Sequence, residues 1–176
     1  GFQELIVAGG AYGERFGGVW LFEWAENNKL ERAWSYEEIP HNIVMDKALA
    51  YGDVDNDGEK EILLGLGYAA CECLVFEPGE AGGFQEPYSI KIEELDNIGG
   101  NVYSVQVLDI DQDNRNELIL GTGEWRSYEL MTCRYNAEKD SFKVLWNQKI
   151  GRVHQVVTMD IPGCSKPCIA CMKSNT

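Results

Sequence analysis

The sequence predicts an all-β chain built from repeated units of four antiparallel strands, and three observations predict it. One short phrase recurs: Glu4-Leu-Ile-Val-Ala-Gly-Gly10, Glu61-Ile-Leu-Leu-Gly-Leu-Gly67 and Glu117-Leu-Ile-Leu-Gly-Thr-Gly123, with a worn fourth copy at Cys168-Ile-Ala-Cys-Met172. The copies start 57, 56 and 51 residues apart, and near-equal spacing of this size marks a repeat architecture. Apolar and aromatic residues come in short runs bounded by Gly, Asn, Asp and Pro, without a sustained helical stripe, which is the pattern of strands. Finally, an acidic loop stands before two of the repeated strands, at 53–61 and 109–117. Four antiparallel strands in a period of roughly 40–60 residues is the habit of a β-propeller blade. An all-β sandwich is the alternative, but it does not require one phrase at fixed intervals.

The elements follow in order from where the apolar runs stop. Three strands are expected first, at about 4–9, 18–24 and 31–36. The first full period supplies four, at about 44–52, 61–67, 72–77 and 87–93, and the second four more, at about 102–108, 117–122, 128–135 and 142–149. Two others follow, at about 153–159 and 168–172. The chain therefore divides into 1–40, the last three strands of a blade; 41–97 and 98–150, one blade each; and 151–176, the first two strands of a further blade. A closed ring takes about four to eight blades. The expectation is thus a partial propeller of about three blades, a piece of a longer propeller. Otherwise another copy or a partner must cover its edges, because unpaired strand edges template aggregation.

Composition narrows the partners. Apolar residues make up 44% and aromatics 11% of the 176 residues, enough for a core and too many for a disordered chain. Lys plus Arg is 15 against 29 for Asp plus Glu, a net charge of −14. That balance disfavours nucleic-acid phosphates and anionic membrane surfaces, and suits cations or basic partners. No run is long enough to span a membrane, and GFQELIVAGG lacks the basic and long apolar regions of a signal peptide. The chain reads as soluble, extracellular or cytoplasmic.

The acidic loops carry the chemistry. Asp53-Val-Asp55-Asn-Asp57-Gly58-Glu59-Lys-Glu61 and Asp109-Ile-Asp111-Gln-Asp113-Asn114-Arg115-Asn-Glu117 place carboxylates at positions 1, 3, 5 and 9 of a tight loop. Such carboxylates can converge on one hard cation, and calcium, which takes roughly six to eight oxygens at flexible geometry, is the natural one. Position 6 must turn sharply, as Gly58 does freely and Asn114 tolerates. The backbone carbonyl at position 7, Glu59 or Arg115, would complete the shell. An EF-hand needs a glutamate at position 12 and flanking helices, but position 12 is Leu64 or Leu120 and the flanks read as strands. The plain alternative is a pair of solvated acidic turns. Eight of the 29 acidic residues are these carboxylates, so two bound Ca²⁺ would bring the charge from −14 to −10.

The phrase D-x-D-x-D-G-x-x-E-hydrophobic-G resembles the FG-GAP/VCBS repeat of the integrin α-subunit β-propeller and related proteins. The match is close over 53–67 and good over 109–123, where Asn114 takes the glycine position. It is partial at 1–10 and degenerate at 160–172, where Asp160 holds position 1 but Pro162, Cys164 and Cys168 replace the other ligands. The resemblance implies that the loops join the inner strands of blades and bind calcium at Asp53, Asp55, Asp57, Glu59 and Glu61, and at Asp109, Asp111, Asp113, Arg115 and Glu117. No calcium is expected at 160–172.

The opposite ends of such blades are expected to gather Tyr12, Arg15, His41, Asn42, Tyr68, Asn101, Trp125, Arg126 and Arg152. An aromatic residue follows each repeated strand (Tyr12, Tyr68, Trp125), and aromatics and arginines are enriched at binding hot spots; the competing reading is that they cap the ends of the core. No catalytic residue is assigned. There are only two histidines, His41 and His154, and no Gly-x-Ser-x-Gly, P-loop or dinucleotide fingerprint. His154 falls inside an inner strand and reads as packed. Some relatives implied by the resemblance are lyases or lectins, which keeps carbohydrate binding or processing as the second reading. The cysteines, Cys71-Glu-Cys73, Cys133 and Cys164-x3-Cys168-x2-Cys171, read as packed thiols ahead of zinc ligands or disulfides. The functional expectation is a calcium-stabilised scaffold for a protein partner.

Overall fold

The computed structural model describes residues 4–10, 17–26, 28–39, 44–67, 72–93, 100–124 and 128–174. Among them the chain forms strands and one 3-10 turn, Glu80–Gly82, and no α-helix. The strands are β1 (Glu4–Gly9), β2 (Gly17–Trp24), β3 (Leu30–Ile39), β4 (Val44–Gly52), β5 (Glu61–Leu66), β6 (Cys73–Phe76), β7 (Tyr88–Ser89), β8 (Asn101–Leu108), β9 (Glu117–Gly123), β10 (Glu129–Asn136), β11 (Ser141–Lys149), β12 (Arg152–Met159) and β13 (Cys168–Ser174). The protein is all-β, and each expected strand is present.

Sequential neighbours pair antiparallel throughout, giving meanders β1-β2-β3, β4-β5-β6-β7, β8-β9-β10-β11 and β12-β13. The two four-stranded meanders touch along their first strands through one parallel bridge, Lys47 opposite Ser104. Among the described residues no pairing joins the first sheet to the last.

Alternation along the strands explains how the sheets stack. Ile62 and Leu64 of β5 point to one side, where they meet Val19, Ile39 and Phe76, with Trp34, Tyr36 and Phe84 packed alongside. Leu63, between them, points to the other side, into a core with Val102, Val105, Leu118, Leu120, Met131 and Phe142. The third sheet repeats the arrangement: Leu118 and Leu120 face backward, and Ile119 faces forward to Val153 and Val156. Each of the two four-stranded sheets is therefore apolar on both faces at its centre, so β5 and β9 read as near-continuous apolar runs and are buried along their length.

The glycine inside the repeated phrase has a packing reason. A Cβ on Gly65 would lie 2.6 Å from Val102 Cγ1 and 2.6 Å from the Ala48 Cβ, and one on Gly121 would lie 2.6 Å from Val153 Cγ1. Only a residue without a side chain lets the second strand of one sheet come this close to the first strand of the next.

One strand differs from expectation. The fourth strand of the first full period, expected at 87–93, is only Tyr88–Ser89. Ile90 still donates its N–H to the Cys73 carbonyl at 3.0 Å, but beyond it the chain leaves its sheet. The Phe142 N–H bonds the Lys91 carbonyl at 2.6 Å and the Glu93 N–H bonds the Phe142 carbonyl at 2.7 Å. Ile90 and Ile92 are buried in the shared core, so hydrophobic burial between the sheets outweighs continuation of the outer strand.

Candidate metal centre

Residues 53–60 join β4 to β5, and 109–116 join β8 to β9. Each connection reverses the chain at two left-handed positions. Position 4 is Asn56 (φ 67°) in one loop and Gln112 (φ 64°) in the other; position 6 is Gly58 (φ 99°) and Asn114 (φ 69°). Position 6 follows the sequence expectation. Position 4 was not foreseen: Asn56 favours that conformation, but Gln112 gives no such signal.

The carboxylates first satisfy the loops' own amides. Asp53 Oδ2 accepts the Gly58 N–H at 3.2 Å, Asp55 Oδ1 the Asp57 N–H at 3.0 Å, and Asp57 Oδ1 the Glu59 N–H at 2.8 Å. In the second loop Asp109 accepts from Asp113 (3.0 Å) and Asn114 (2.8 Å), and Asp113 Oδ1 from Arg115 (3.0 Å). The position-9 glutamates reach back to position 2: Glu61 Oε2 accepts the Val54 N–H at 2.7 Å, and Glu117 Oε2 the Ile110 N–H at 3.0 Å. Both glutamates start a buried strand and have 0% of their surface exposed, so burial fixes where their second oxygens point.

In the first loop Asp53, Asp55, Asp57 and Glu61 converge, each offering an oxygen within 4.8 Å of the others. Asp53 Oδ1 and Glu61 Oε1 are buried and have no hydrogen-bond donor. Burying a carboxylate oxygen without a partner is costly, and here several share one pocket. Desolvation by burial, followed by repulsion from Glu77, Asp55 and Asp53, pushes the Glu61 carboxyl up to about 8. Burial and neighbouring Asp57 and Asp53 also raise Asp55. Burial raises Glu77, and Asp55, Asp57 and Glu59 add to it. These groups together can hold a metal ion, whose charge would offset the shared repulsion.

In the second loop three of the four expected carboxylates, Asp109, Asp111 and Glu117, converge. A side chain that sequence reasoning missed stands among them. Arg134, on β10, donates from Nε to Glu117 Oε1 at 2.7 Å and from Nη2 to Asp111 Oδ2 at 3.1 Å, with a further close Nη2 contact to Glu117 Oε1. Its Nη1 lies 2.9 Å from Asp113 Oδ2. Burial alone would lower the Arg134 guanidinium, but bonding to Glu117 and then Asp111 and Asp113 raises it, so it stays charged.

Glu59 and Arg115 both stand at exposed loop positions and enter through their N–H groups as described. Of the expected opposite face, Tyr12, Arg15, His41, Asn42, Tyr68, Trp125 and Arg126 lie outside the described residues, as does Cys71. The remaining two meet at Glu124: the buried Asn101 donates to Glu124 Oε2 at 2.8 Å, and Arg152 pairs with Glu124 Oε1 while stacking over the Tyr103 ring. His154 is half-buried on β12, 2.9 Å from Ser174 Oγ, with its ring edge on Tyr103. Cys73 and Cys133 lie in the core between the full sheets, Cys171 packs against the last core, and Cys164 is exposed. In the loop at 160–167, Lys166 Nζ donates to the Asp111 carbonyl at 2.7 Å. No protein-family model matches the chain, and no curated protein matches it.

Proposed function

We propose that the chain is a segment of a calcium-stabilised β-propeller of FG-GAP/VCBS type that serves as a recognition scaffold for a protein partner. The observation that carries the metal reading is the pair of buried, donorless oxygens, Asp53 Oδ1 and Glu61 Oε1, inside a ring of four carboxylates. A hard divalent cation satisfies such oxygens, and the flexible loop with an all-oxygen donor set suits calcium. Support for the propeller reading comes from four meanders in sequence, with a glycine of the repeated phrase, Gly65 or Gly121, at the close approach of the second sheet to the third and of the third to the fourth. Calcium would pin the turn between the first two strands of a sheet, so that binding adds to folding stability.

The test is thermal unfolding with and without calcium, alongside the light-scattering mass. Calcium should raise the melting temperature, and Asp55→Ala should remove most of that rise. No shift at millimolar calcium would reduce the first loop to an acidic turn. The partner is expected on the ends opposite the acidic loops, where Asn101, Glu124 and Arg152 meet. Carbohydrate binding is the second reading, favoured by the aromatic residue after each repeated strand (Tyr12, Tyr68, Trp125). Sugar-induced quenching of tryptophan fluorescence would support it, and co-purification of a partner that Arg152→Ala releases would support the scaffold.

A further inference from the structure

The two acidic loops turn at the same two left-handed positions and carry carboxylates at the same four places. Their position-9 glutamates nevertheless face opposite charges. The register of β5 with β6 ends at Ile62 opposite Phe76, so Glu77 stands across from Glu61 one residue further. The register of β9 with β10 ends at Leu118 opposite Cys133, so Arg134 stands across from Glu117. One structural position thus holds a fifth carboxylate in the first sheet and a guanidinium in the second. The oxygens differ accordingly. Glu61 Oε1 and Asp53 Oδ1 have no donor, whereas Glu117 Oε1 is held by Arg134 and both oxygens of Asp109 accept backbone N–H groups.

We propose that Arg134 is the resident cation of the second loop, taking the place that a metal ion takes in the first. The chain then binds one calcium, at 53–61, and the residue across from the position-9 glutamate decides which loop requires it. This rests on the metal reading of the first loop. A divalent ion entering the second loop must either break the contacts of Arg134 with Glu117, Asp111 and Asp113 or sit beside a like charge. Arg134 has only 17% of its side chain exposed, which keeps those contacts little screened. In the first loop no such cation opposes entry among the described residues, and Glu77, whose Oε1 accepts from the Tyr88 hydroxyl at 2.7 Å, adds to the attraction.

The experiment is calcium titration calorimetry on the whole chain, with melting measured in EDTA and in calcium. The wild type should bind one ion. Arg134→Gln should bind two, melt at least about 5 °C lower than the wild type in EDTA, and recover on adding calcium. Glu77→Arg should lose the single site, and it tests the same rule if Arg134→Gln does not fold. Two ions on the wild type, one of them removed by Asp111→Ala, would overturn the proposal while leaving the first site intact. No ion on the wild type, with Arg134→Gln still rescued by calcium, would instead remove the reading of the first loop and keep the role of Arg134. Loss of stability in Arg134→Gln that calcium does not restore would make Arg134 an ordinary ion-pair residue and end the proposal. So would a Glu77→Arg variant that still binds its ion.

Discussion

The carboxamide of Asn56 is bonded to the main chain of Asn116 in both directions: its Oδ1 accepts the Asn116 N–H at 2.6 Å, and its Nδ2 donates to the Asn116 carbonyl at 3.3 Å. The Asn116 side chain returns a third bond, to the Asp53 carbonyl at 2.7 Å. Position 4 of one acidic loop is thereby tied to position 8 of the next, and Lys166 extends the chain of contacts to a third loop. Whatever orders the first loop also orders the edge of the following sheet.

That tie separates two effects at Asn56. Asn56→Gly keeps the left-handed backbone (φ 67° in the wild type) and removes both bonds to Asn116, so it should cost about 1 kcal/mol. Asn56→Ala removes the same bonds and leaves a Cβ in the left-handed region without the polar side chain that lets asparagine tolerate it, for a total of about 2 kcal/mol. Urea unfolding of the two variants checks the order. Equal losses would show that the conformation at position 4 carries no strain.

Glu61 sets the pH dependence of the metal-free protein. Its carboxyl moves from 4.5 in the unfolded chain to about 8 in the fold, so the folded state holds the proton more tightly. The stabilising contribution is therefore complete below pH 4.5 and is lost as pH rises toward 8. Each tenfold difference in proton affinity between the folded and unfolded chain is worth about 1.4 kcal/mol, so between pH 5 and 7 the loss at this site is about 2 kcal/mol. Melting in EDTA should fall across that range, and calcium should flatten the curve because the ion replaces the proton. Calorimetry in two buffers of different ionisation enthalpy should also register proton release on binding. A melting temperature in EDTA that rises from pH 5 to 7 would contradict this account of Glu61.

The close approach at Gly65 gives a packing prediction that is independent of the metal. An added methyl must displace both Val102 and Ala48, each 2.6 Å away. Gly65→Ala should destabilise the protein by about 2 kcal/mol, the cost of overpacking a filled core. Denaturant titration measures it, and a neutral result would mean that the neighbouring sheets shift apart freely.

The strands were legible because the short apolar runs bounded by turn residues and the Glu-apolar-Gly phrase are written in consecutive residues. Leu63 and Ile62 face different cores, which a one-dimensional pattern encodes directly. The carboxylates that converge, at positions 1, 3, 5 and 9 of the first loop and at 1, 3 and 9 of the second, were legible for the same reason. Arg134 and Glu77 were not, because they enter from another strand. Glu77 lies 16 residues after Glu61 and Arg134 lies 17 after Glu117, so aligning the repeats residue by residue does not superpose them. The extra residue lies between the paired strands, and only their register brings the two side chains to one position. The shortened β7 escaped similarly, since the attraction that bends its end away comes from the neighbouring sheet.

The same stacking of sheets governs the thiols. Cys73 and Cys133 are buried in one core cluster between the two full sheets, and burial pushes both thiols from 9.0 up to about 12. The thiolate is the reactive form, so at pH 8 each carries about a thousandfold less of it than an ordinary cysteine, before access is considered. Cys164 is exposed on the loop after β12. The Cys168 thiol is raised, first by its hydrogen bond with Cys164 and then by burial and nearby Asp160. Timed iodoacetamide labelling followed by mass spectrometry should therefore modify Cys164 first and Cys168 later. Cys73 and Cys133 should react only at the rate at which the sheets separate, and they should become accessible together in urea. Labelling of Cys73 as fast as Cys164 in the native protein would mean that the core between β5 and β9 is open to solvent, and the face-to-face stacking of the two full sheets would fail with it.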